Sequence, residues 1–329
     1  MTVFGSEFCD QYVVTDYTES GWQPHALTPL APIPMHPAAH VLHYASTCFE
    51  GFKAYRWADG SVHVFRLADH VARMQRSAES LRLPVPPAAL LSDMVLDVIR
   101  ANLDAVPEMP GALYLRPTLI GTLPNIGAAA SPSTTAKLFV LASPVGDYFA
   151  GGIRPLKILI DDENARSTRQ LGSTKTGGNY AAALGPTLEA KATFGVDQVL
   201  FCPNDDVQET GAANFLLIGE DRVLTKPLDS SFLHGITRAS TLALAEDLGM
   251  QVEQRDFSVG ELLAALPNTD AALSGTAASL TPIGTMIYRG DAHEVNPGSE
   301  YQNTLKLRQA LSAVHSGERE DVHGWLTRV

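Results

Sequence analysis

The 329-residue sequence is poor in cysteine and begins without a targeting pattern. Cys9, Cys48 and Cys202 are odd in number and far apart, so they indicate neither a disulfide framework nor a zinc site. No apolar run approaches the ~20 residues that a membrane span needs. The N-terminus has neither the basic nor the apolar stretch of a signal peptide. We therefore expect a cytoplasmic protein with no membrane partner and no metal.

Basic residues are also in the minority. The chain has 24 Lys and Arg, 36 Asp and Glu, and a formal net charge of −12. This charge argues against a surface for nucleic acid or anionic lipid, because both would repel it. It still permits a local positive pocket for an anionic ligand. The composition, 45% hydrophobic and 18% charged, is that of a globular protein, and the length is typical of about two domains.

The first half of the chain reads as strands with helices between them. A strand is predicted over 61–67, and a helix follows it directly, with an apolar stripe beneath charged residues. The apolar positions are Leu67, Val71, Met74, Ala78 and Leu81, and the charged ones are Arg73, Arg76 and Glu79. A second helix is predicted over 88–103, and two strands over 112–120 and 136–142.

Residues 144–152 have turn-forming composition and mark a predicted linker. It would join a small α/β domain, 1–143, to a large α/β domain, 153–329. In the large domain, the predicted strands are 156–160, 198–201, 213–219, 223–227 and 271–273, and the predicted helices are 178–194, 237–248 and 301–315. Ser258 and Glu261 form a capping box that begins a further helix. Two α+β domains that meet at a cleft are the simplest interpretation.

Lysine is scarce, and Lys175 has a setting that the others do not share. It lies in Gly172-Ser173-Thr174-Lys175-Thr176-Gly177-Gly178-Asn179-Tyr180, just before a predicted helix. The glycines let the backbone come close to a bound group. A desolvated lysine amine attacks carbonyl carbon, and the usual use of that chemistry is a Schiff base with pyridoxal phosphate. The alternative is a solvated loop lysine. The other lysines are Lys53, Lys137, Lys157, Lys191, Lys226 and Lys306.

The same run superficially resembles a nucleotide-phosphate loop. Such a loop needs a glycine directly before its lysine and another five residues before that glycine. Thr174 and Arg169 occupy these two positions, so both glycines are missing. We therefore do not expect a nucleotide site at Lys175.

Other segments offer the groups that pyridoxal phosphate needs for its phosphate and its pyridine nitrogen. Arg66, between a strand and a helix, suits a bidentate phosphate clamp, and its alternative is a surface arginine. The turn at Gly235 leads into a helix N-terminus, whose N–H groups and dipole favour an anion. Glu209 precedes an apolar strand, and its carboxylate would keep the pyridine nitrogen protonated. A surface glutamate at a strand end is its alternative.

Two further candidates complete this set. Tyr180 is a partner for the phenolate oxygen of the cofactor, although a tyrosine on an early helical turn is often simply core. Thr276 lies in a run of small residues after a short strand, where its hydroxyl and nearby N–H groups are accessible. Its alternative is a plain tight turn.

Taken in order along the chain, these segments resemble the branched-chain amino acid aminotransferases, which are fold-type-IV pyridoxal-phosphate enzymes. The likeness runs nearly end to end. It rests on Leu42-His43-Tyr44, Phe49-Glu50-Gly51, Val64-Phe65-Arg66, Leu113-Tyr114-Leu115-Arg116-Pro117, Pro144-Val145-Gly146-Asp147-Tyr148-Phe149, the run from Lys175 to Tyr180, the run from Glu209 to Phe215, Gly235-Ile236-Thr237-Arg238 and Gly275-Thr276-Ala277. The linker and the Lys175 run look more like these enzymes than like the D-amino acid aminotransferases or aminodeoxychorismate lyases that share the fold.

The resemblance implies a two-domain fold like that of D-amino acid aminotransferase, with pyridoxal 5′-phosphate at the domain interface. Lys175 would carry the cofactor and move the proton at the substrate Cα. The implied cofactor ligands are Arg66, Lys175, Tyr180, Glu209, Ile236, Thr237 and Thr276. The implied substrate contacts are Phe4, Tyr44, Phe49, Tyr114, Arg116, Thr276 and Ala277.

The implied reaction is ping-pong transfer of an amino group between leucine, isoleucine or valine and 2-oxoglutarate, by a homodimer active in branched-chain amino acid biosynthesis. An apolar pocket rewards the branched side chains, and Arg116 at its rim would bind the second carboxylate of glutamate. The alternative for Arg116 is a structural arginine paired with a carboxylate inside the sheet. For the whole protein, the alternatives are another fold-type-IV enzyme and, more remotely, a non-catalytic binding protein.

Two places depart from the pattern of the family. Some relatives carry a Cys-x-x-Cys pair after the Gly-Thr-Ala turn, where this chain has Ala278 and Thr281, so that redox regulation is not expected. Ala212 and Ala213 stand where relatives often have bulkier residues, which leaves the preference among the three substrates open.

Overall fold

The computed structural model describes residues 4–146, 152, 154–277 and 279–329. The chain divides into two compact units, and neither is one continuous segment. Unit 1 comprises Met1–Ala150, Thr174–Gly177 and His315–Val329, and unit 2 comprises Gly151–Ser173 and Gly178–Val314. Most of the linker predicted over 144–152 falls outside the described residues, so the domain boundaries stay a prediction.

The helices and strands follow in chain order. Up to residue 145 they are β1 (Gln11–Thr18), β2 (Gly21–Trp22), β3 (Ala26–Pro29), α1 (His40–Tyr44), β4 (Thr47–Phe49), β5 (Phe52–Arg56), β6 (Val62–Phe65), α2 (Leu67–Ser80), α3 (Ala88–Ala101), β7 (Ala112–Gly121) and β8 (Ala136–Val145). Beyond it they are β9 (Leu156–Asp161), α4 (Gly177–Phe194), β10 (Gln198–Phe201), β11 (Asn214–Ile218), β12 (Arg222–Thr225), α5 (Ile236–Asp247), β13 (Gln251–Gln254), α6 (Val259–Ala265), β14 (Asp270–Gly275), β15 (Ser279–Tyr288), β16 (Asp291–Glu294), α7 (Gln302–Ser316) and β17 (Leu326–Arg328).

Unit 1 is built on an antiparallel sheet in the order β17-β6-β5-β7-β8-β1-β2, with β3 paired to β1 and β4 to β7. Apolar residues of α2 and α3 form one buried cluster with residues of these strands. The C-terminal strand β17 lies at one end of the sheet, opposite β6, with Leu326 facing Phe65 and Arg328 facing His63. Strand β17 therefore belongs to the same sheet as β6, the strand that directly precedes α2.

Helix α2 confirms the predicted stripe but corrects one of its residues. Leu67, Val71, Met74 and Ala78 are buried, as their helical spacing predicts. The prediction that Arg73 lies on the exposed, charged face of the helix is wrong, because the residue is only 4% exposed. Its guanidinium pairs with a buried carboxylate on another segment, and the periodicity of a helix carries no information about such a partner.

Unit 2 is built on a mixed sheet in the order β10-β9-β15-β14-β11-β12-β13, with β16 paired to β15. Strand β9 runs parallel to β10 and β15, whereas β14 runs antiparallel to β11 and β15. The predicted capping box is confirmed at α6, where the Ser258 hydroxyl accepts the Glu261 N–H at 3.1 Å and Glu261 accepts the Ser258 N–H at 3.1 Å.

The predicted strands and helices of both halves are present, with ends shifted by a few residues. Several strands were not predicted, among them β1, β5 and the longest one, β15. Pro282 and Gly284 interrupt its sequence, and both residues are depleted in strands. The strand forms because it pairs on both sides, with β14 and with β9, and the register shifts between Ile283 and Thr285.

The three cysteines do not form a disulfide bond with one another. Cys9, Cys48 and Cys202 are all buried and free. Burial, with the nearby Asp10 charge, raises the pKa of Cys9 to about 11. Burial, with the Glu50 charge, raises the pKa of Cys48 to about 12. Both thiols therefore stay protonated at neutral pH, the unreactive form. Among the described residues, no helix is both long enough and apolar enough to traverse a bilayer.

Candidate active site

The backbone of Lys175 is fixed on both sides. Its N–H donates to the Ser77 hydroxyl on α2 at 3.1 Å. Its carbonyl accepts the Phe49 N–H, at the end of β4, at 3.1 Å. The amine Nζ lies 5.0 Å from the centroid of the Phe49 ring. Lys175 is half-buried, and its backbone is hydrogen-bonded to both of these segments, so the loop that carries it is held in place. Its predicted catalytic role stays a prediction.

The neighbours of Lys175 anchor the same loop. The Thr174 hydroxyl donates to the Ser80 hydroxyl at 2.9 Å, and the Thr176 hydroxyl donates to the Thr47 carbonyl at 2.7 Å. Both threonines are 2% exposed. These hydrogen bonds restrict the conformations open to the loop from Thr174 to Thr176. Lys175 therefore extends from a backbone that is held in place.

Four of the predicted substrate residues gather around Lys175 in unit 1. The Arg116 guanidinium carbon lies 4.7 Å from the Phe49 ring centroid, and Arg116 Nη2 donates to the Tyr114 hydroxyl at 2.8 Å. The Phe4 ring meets the Tyr114 ring edge-on, with centroids 5.0 Å apart. One amine, one guanidinium and three aromatic rings thus share a small region.

Gly51 makes room for this group. A Cβ atom at Gly51 would lie 1.9 Å from the Tyr114 hydroxyl oxygen, so no larger residue fits there without moving Tyr114. Tyr44, the remaining predicted substrate residue of unit 1, makes different contacts: its hydroxyl donates to the Ile126 carbonyl, and its ring lies beside His40. The predicted role of Tyr44 stays a prediction.

Arg116 has unused hydrogen-bonding capacity. Its Nε is buried, and in the described part of the chain it has no hydrogen-bond acceptor. The alternative of a structural arginine paired with a carboxylate is not observed, because the ion pairs of the described residues do not include Arg116. A buried donor without a partner costs stability, which is expected where a ligand supplies the acceptor.

A buried charge network lies directly behind Phe49. The Glu50 carboxylate is 0% exposed and accepts hydrogen bonds from Arg73 Nε at 2.7 Å, Arg73 Nη2 at 2.8 Å and His70 Nδ1 at 2.8 Å. Burial alone would raise the pKa of Glu50, but the Arg73 charge and hydrogen bonds, with those of His70, outweigh burial and hold it well below its usual range. Burial lowers the pKa of His70, so its ring is neutral at neutral pH.

Arg66 occupies an unusual backbone conformation. It is the N-cap residue of α2, with φ 54° and ψ 40°, in the left-handed region that non-glycine residues seldom adopt. Its Nε donates to Asp69 at 2.6 Å, and its guanidinium carbon lies 5.2 Å from the Trp325 ring centroid. The side chain is 14% exposed, so the alternative of an ordinary surface arginine is wrong.

In unit 2, Glu209 is a buried carboxylate rather than a surface one. It is 2% exposed. One oxygen pairs with Arg166 and accepts the Leu233 N–H at 2.9 Å, and the other accepts Asn214 Nδ2 at 3.0 Å. These partners fix the orientation of the carboxylate, and Arg166 supplies the positive charge that a buried anion requires.

Sequence reasoning missed Arg166. The residue is 2% exposed, and its guanidinium donates to the Gly211 and Gly172 carbonyls at 3.3 and 3.4 Å. It also lies 5.9 Å from the centroid of the half-buried Tyr180 ring and so joins Tyr180 to Glu209. Its only sequence signal is indirect: a glutamate that is buried needs a cation, and the sequence does not say which one.

The N-terminus of α5 is positioned by the same side chains. Gly235 is its N-cap residue, and no side chain of the described residues caps the helix. A Cβ atom at Gly235 would lie 1.8 Å from Asn214 Oδ1, and Asn214 Nδ2 donates to the Leu233 carbonyl at 2.9 Å. Ile236 and Thr237 therefore begin a helix whose first N–H groups are left for another acceptor.

Thr276 and Ala277 form the turn that follows β14, as predicted. Ser274, two residues earlier, pairs with Asn214 across the sheet. Its hydroxyl is buried and has no hydrogen-bond partner among the described residues. Ala278 lies outside the described residues, and Thr281 is buried in β15. Unit 2 thus gathers Glu209, Tyr180 and the α5 N-terminus through Arg166 and Asn214.

Comparison with known proteins agrees with this arrangement. The family model described as amino-transferase class IV matches residues 47–285. The chain therefore belongs to the class IV aminotransferases. It is similar to the branched-chain-amino-acid aminotransferases of Mycolicibacterium smegmatis and Mycobacterium tuberculosis, each 37% identical over 340 residues that cover 99% of this chain and 92% of the relative.

A solved structure supports the same fold. The branched-chain amino acid aminotransferase of T.th., solved with pyridoxamine 5′-phosphate, superimposes with a TM-score of 0.82 at 26% identity, covering 98% of this chain and 99% of that one. The fold-type-IV aminotransferase class predicted from the sequence is confirmed, and so is the interpretation of the protein as an enzyme.

Proposed function

We propose that the protein is a pyridoxal-phosphate-dependent aminotransferase that moves an amino group between leucine, isoleucine or valine and 2-oxoglutarate. The observation that carries the proposal is the rigid presentation of Lys175, held by Ser77 and Phe49, within the segment that the family model matches. The name of the relatives supports the substrate class, and the pyridoxamine 5′-phosphate bound by the T.th. enzyme supports the cofactor.

The side chains present fit this cofactor. Glu209 is a buried anion that suits a protonated pyridine nitrogen, and the α5 N-terminus has no side-chain cap within the described residues. The buried Ser274 hydroxyl also lacks a partner there, as expected beside a polar ligand. The residues that would hold the cofactor are Arg66, Ile236, Thr237 and Thr276 at the phosphate, Tyr180 at the phenolate oxygen, Glu209 at the pyridine nitrogen and Lys175 at the aldehyde.

Pyridoxal phosphate, when bound, supplies an electron sink for the negative charge that develops at the substrate Cα. Lys175 Nζ would take the proton from the substrate Cα and deliver it to C4′ of the cofactor, and two backbone hydrogen bonds fix the position from which the Lys175 side chain extends. Glu209 holds its carboxylate in one orientation through Arg166 and Asn214. A carboxylate held in this way needs little reorganisation as charge develops, which favours the chemical step.

The aromatic side chains of unit 1 described above would bind the substrate. Phe49, Tyr114 and Phe4 present apolar surface to a branched side chain, whose burial contributes roughly 1.5–3 kcal/mol. Arg116 lies beside Phe49 and offers a guanidinium to the second carboxylate of glutamate or 2-oxoglutarate. Backbone N–H groups of Thr276 and Ala277 would bind the carboxylate that both substrates share.

Absorbance spectroscopy tests the proposal. The purified protein, loaded with pyridoxal phosphate, should be yellow, should bleach with L-leucine and should regain its colour with 2-oxoglutarate. D-leucine should leave the colour unchanged. Bleaching by D-leucine alone would favour the D-amino acid aminotransferase alternative. A protein that takes up no pyridoxal phosphate would exclude the proposed function.

We also propose that the enzyme works in the cytoplasm as a homodimer. The support is the family resemblance, since the structure describes one chain. Light scattering should give twice the mass of 35.3 kDa that the sequence predicts for one chain, and a monomer mass at working concentration would contradict it.

A further inference from the structure

Trp325, the residue directly before the C-terminal strand β17, contacts Arg66 at its backbone and at its side chain. The Arg66 N–H donates to the Trp325 carbonyl at 2.6 Å, and the Trp325 ring lies beneath the guanidinium at 5.2 Å from its carbon. On its other side, the guanidinium Nε is bound by Asp69 at 2.6 Å. Trp325 therefore restrains both the backbone and the side chain of Arg66, and Asp69 restrains the side chain further.

The backbone of Arg66 needs such support. With φ 54° it lies in the left-handed region, which is unfavourable for a residue other than glycine. At the same time, its carbonyl accepts the His70 N–H at 3.1 Å and so starts α2. The bond from the Arg66 N–H to Trp325 holds the residue in this conformation, and the conformation sets where the side chain leaves the backbone.

Trp325 is itself firmly placed. Its N–H and that of Leu326 donate to the Asp321 carboxylate at 2.9 and 2.7 Å. Its ring stacks on His323 with centroids 4.3 Å apart and meets the Phe65 ring edge-on at 5.7 Å. The residue is 8% exposed. The buried ring thus contacts His323, Phe65 and the guanidinium of Arg66, the arginine proposed to bind phosphate.

We propose that Trp325 is a positioning residue that holds Arg66 for the phosphate of the cofactor. Its carbonyl fixes the Arg66 backbone, and its ring fixes the plane of the guanidinium by a cation–π contact, while Asp69 fixes Nε. A guanidinium restrained in this way loses little conformational entropy when it binds phosphate. This inference rests on the proposed function, because it takes Arg66 to be a phosphate ligand.

Comparing cofactors with and without phosphate tests the inference. Dissociation constants of pyridoxal phosphate and of pyridoxal are measured by absorbance for the wild type, Trp325→Leu, Arg66→Ala and the double variant. Trp325→Leu should weaken pyridoxal phosphate about tenfold, whereas pyridoxal binding stays within about twofold. In the Arg66→Ala background, Trp325→Leu should have no further effect. Trp22→Leu, which removes a tryptophan from strand β2 of the same sheet, is the matched control and should leave both constants unchanged.

The outcomes separate the two proposals. Equal weakening of both ligands, or full additivity of the two substitutions, would show that Trp325 only stabilises the fold and would overturn the inference. A wild type that binds pyridoxal phosphate and a Trp325→Leu variant that binds it equally well would also overturn it. A wild type that binds no pyridoxal phosphate would overturn the proposed function as well. If Trp325→Leu does not fold, Trp325→Phe, which keeps a ring with a weaker cation–π contact, should show about a threefold loss confined to the phosphorylated cofactor.

Discussion

Arg116 has a buried Nε and Arg166 is buried as a whole, but their partners differ. Arg166 is 2% exposed and donates to Glu209 and to two carbonyls, so it balances a buried charge. Arg116 donates to the Tyr114 hydroxyl and keeps a buried Nε without a partner among the described residues. Arg166 therefore finds its acceptors within the protein, whereas the Arg116 Nε can donate to an acceptor that a ligand supplies.

Replacement of Arg116 by methionine should therefore affect one half-reaction more than the other. Without the guanidinium, the second carboxylate of glutamate loses a charged hydrogen bond, so kcat/KM for glutamate should fall about 10–100-fold. The value for leucine should fall by less than about threefold, because an apolar side chain gains nothing from the charge. Single-turnover kinetics with each amino acid measures both values. Arg222→Met at an exposed position is the control, and equal losses for both substrates would exclude the proposed role of Arg116.

Among individual residues, the sequence predicts those that lie in short motifs. Lys175, Glu209 and Arg66 were found because each stands beside a turn or at the end of a strand, where a polar side chain next to apolar runs is conspicuous. Arg166 was missed because it lies in a loop without a motif. Trp325 was missed because its contact with Arg66 joins positions far apart in the chain. Long-range partners of this kind leave no trace in local spacing.

At the scale of elements, α2 organises much of the candidate site. Arg66 precedes it, and Ser77 and Ser80 on it accept hydrogen bonds from the loop that carries Lys175. His70 and Arg73, on the same helix, bind Glu50 behind Phe49. A single amphipathic helix thus supports the lysine loop, the arginine and the aromatic wall. Its burial stabilises the fold and the site together.

The Glu50 network makes stability depend on pH in a defined direction. Glu50→Gln leaves Arg73 buried without its charge partner, so the free energy of unfolding at neutral pH should fall by about 3–5 kcal/mol. Because the folded-state pKa of Glu50 is depressed, its contribution is complete above the ordinary value of 4.5 and is lost as pH falls below it. The gap between wild type and variant should therefore narrow by about 1.4 kcal/mol per pH unit below that value.

Urea unfolding at neutral pH and below pH 4.5 measures this gap. Burial lowers the pKa of His70 and the Glu50 charge and hydrogen bond raise it, so Glu50→Gln also changes the titration of His70. Both proteins are therefore compared in a His70→Gln background, where this ring does not titrate. Glu108→Gln, at a carboxylate 82% exposed, should change stability by less than about 0.5 kcal/mol. A gap that stayed constant down to acid pH would show that the Glu50 charge is not favoured in the folded state.

Sequence periodicity predicts elements whose partners are local and misses those that tertiary pairing creates. Helix α2 and the capping box of α6 follow directly from spacing. Strand β15 carries Pro282 and Gly284, and only its pairing with two neighbours makes it a strand. The prediction of an exposed Arg73 on α2 is wrong for the same reason, because its partner Glu50 lies on another segment.

At the scale of the whole chain, the units do not follow the order of the sequence. Thr174–Gly177 groups with unit 1, although the residues on both sides of it belong to unit 2, and the C-terminal residues His315–Val329 also group with unit 1. A division by composition, such as that at 144–152, assigns only continuous segments. The loop of Lys175 and the C-terminal segment with Trp325 therefore group with unit 1, although both follow residue 152 in the sequence.

The covalent link between cofactor and chain tests the account most directly. The protein is loaded with pyridoxal phosphate, reduced with borohydride and digested, and the peptides are examined by mass spectrometry. The peptide that contains Lys175 should carry one reduced phosphopyridoxyl group. Peptides that contain Lys157, whose amine is hydrogen-bonded to the Phe194 carbonyl at the surface, should carry none. Label on another lysine, with Lys175 unmodified, would contradict the account.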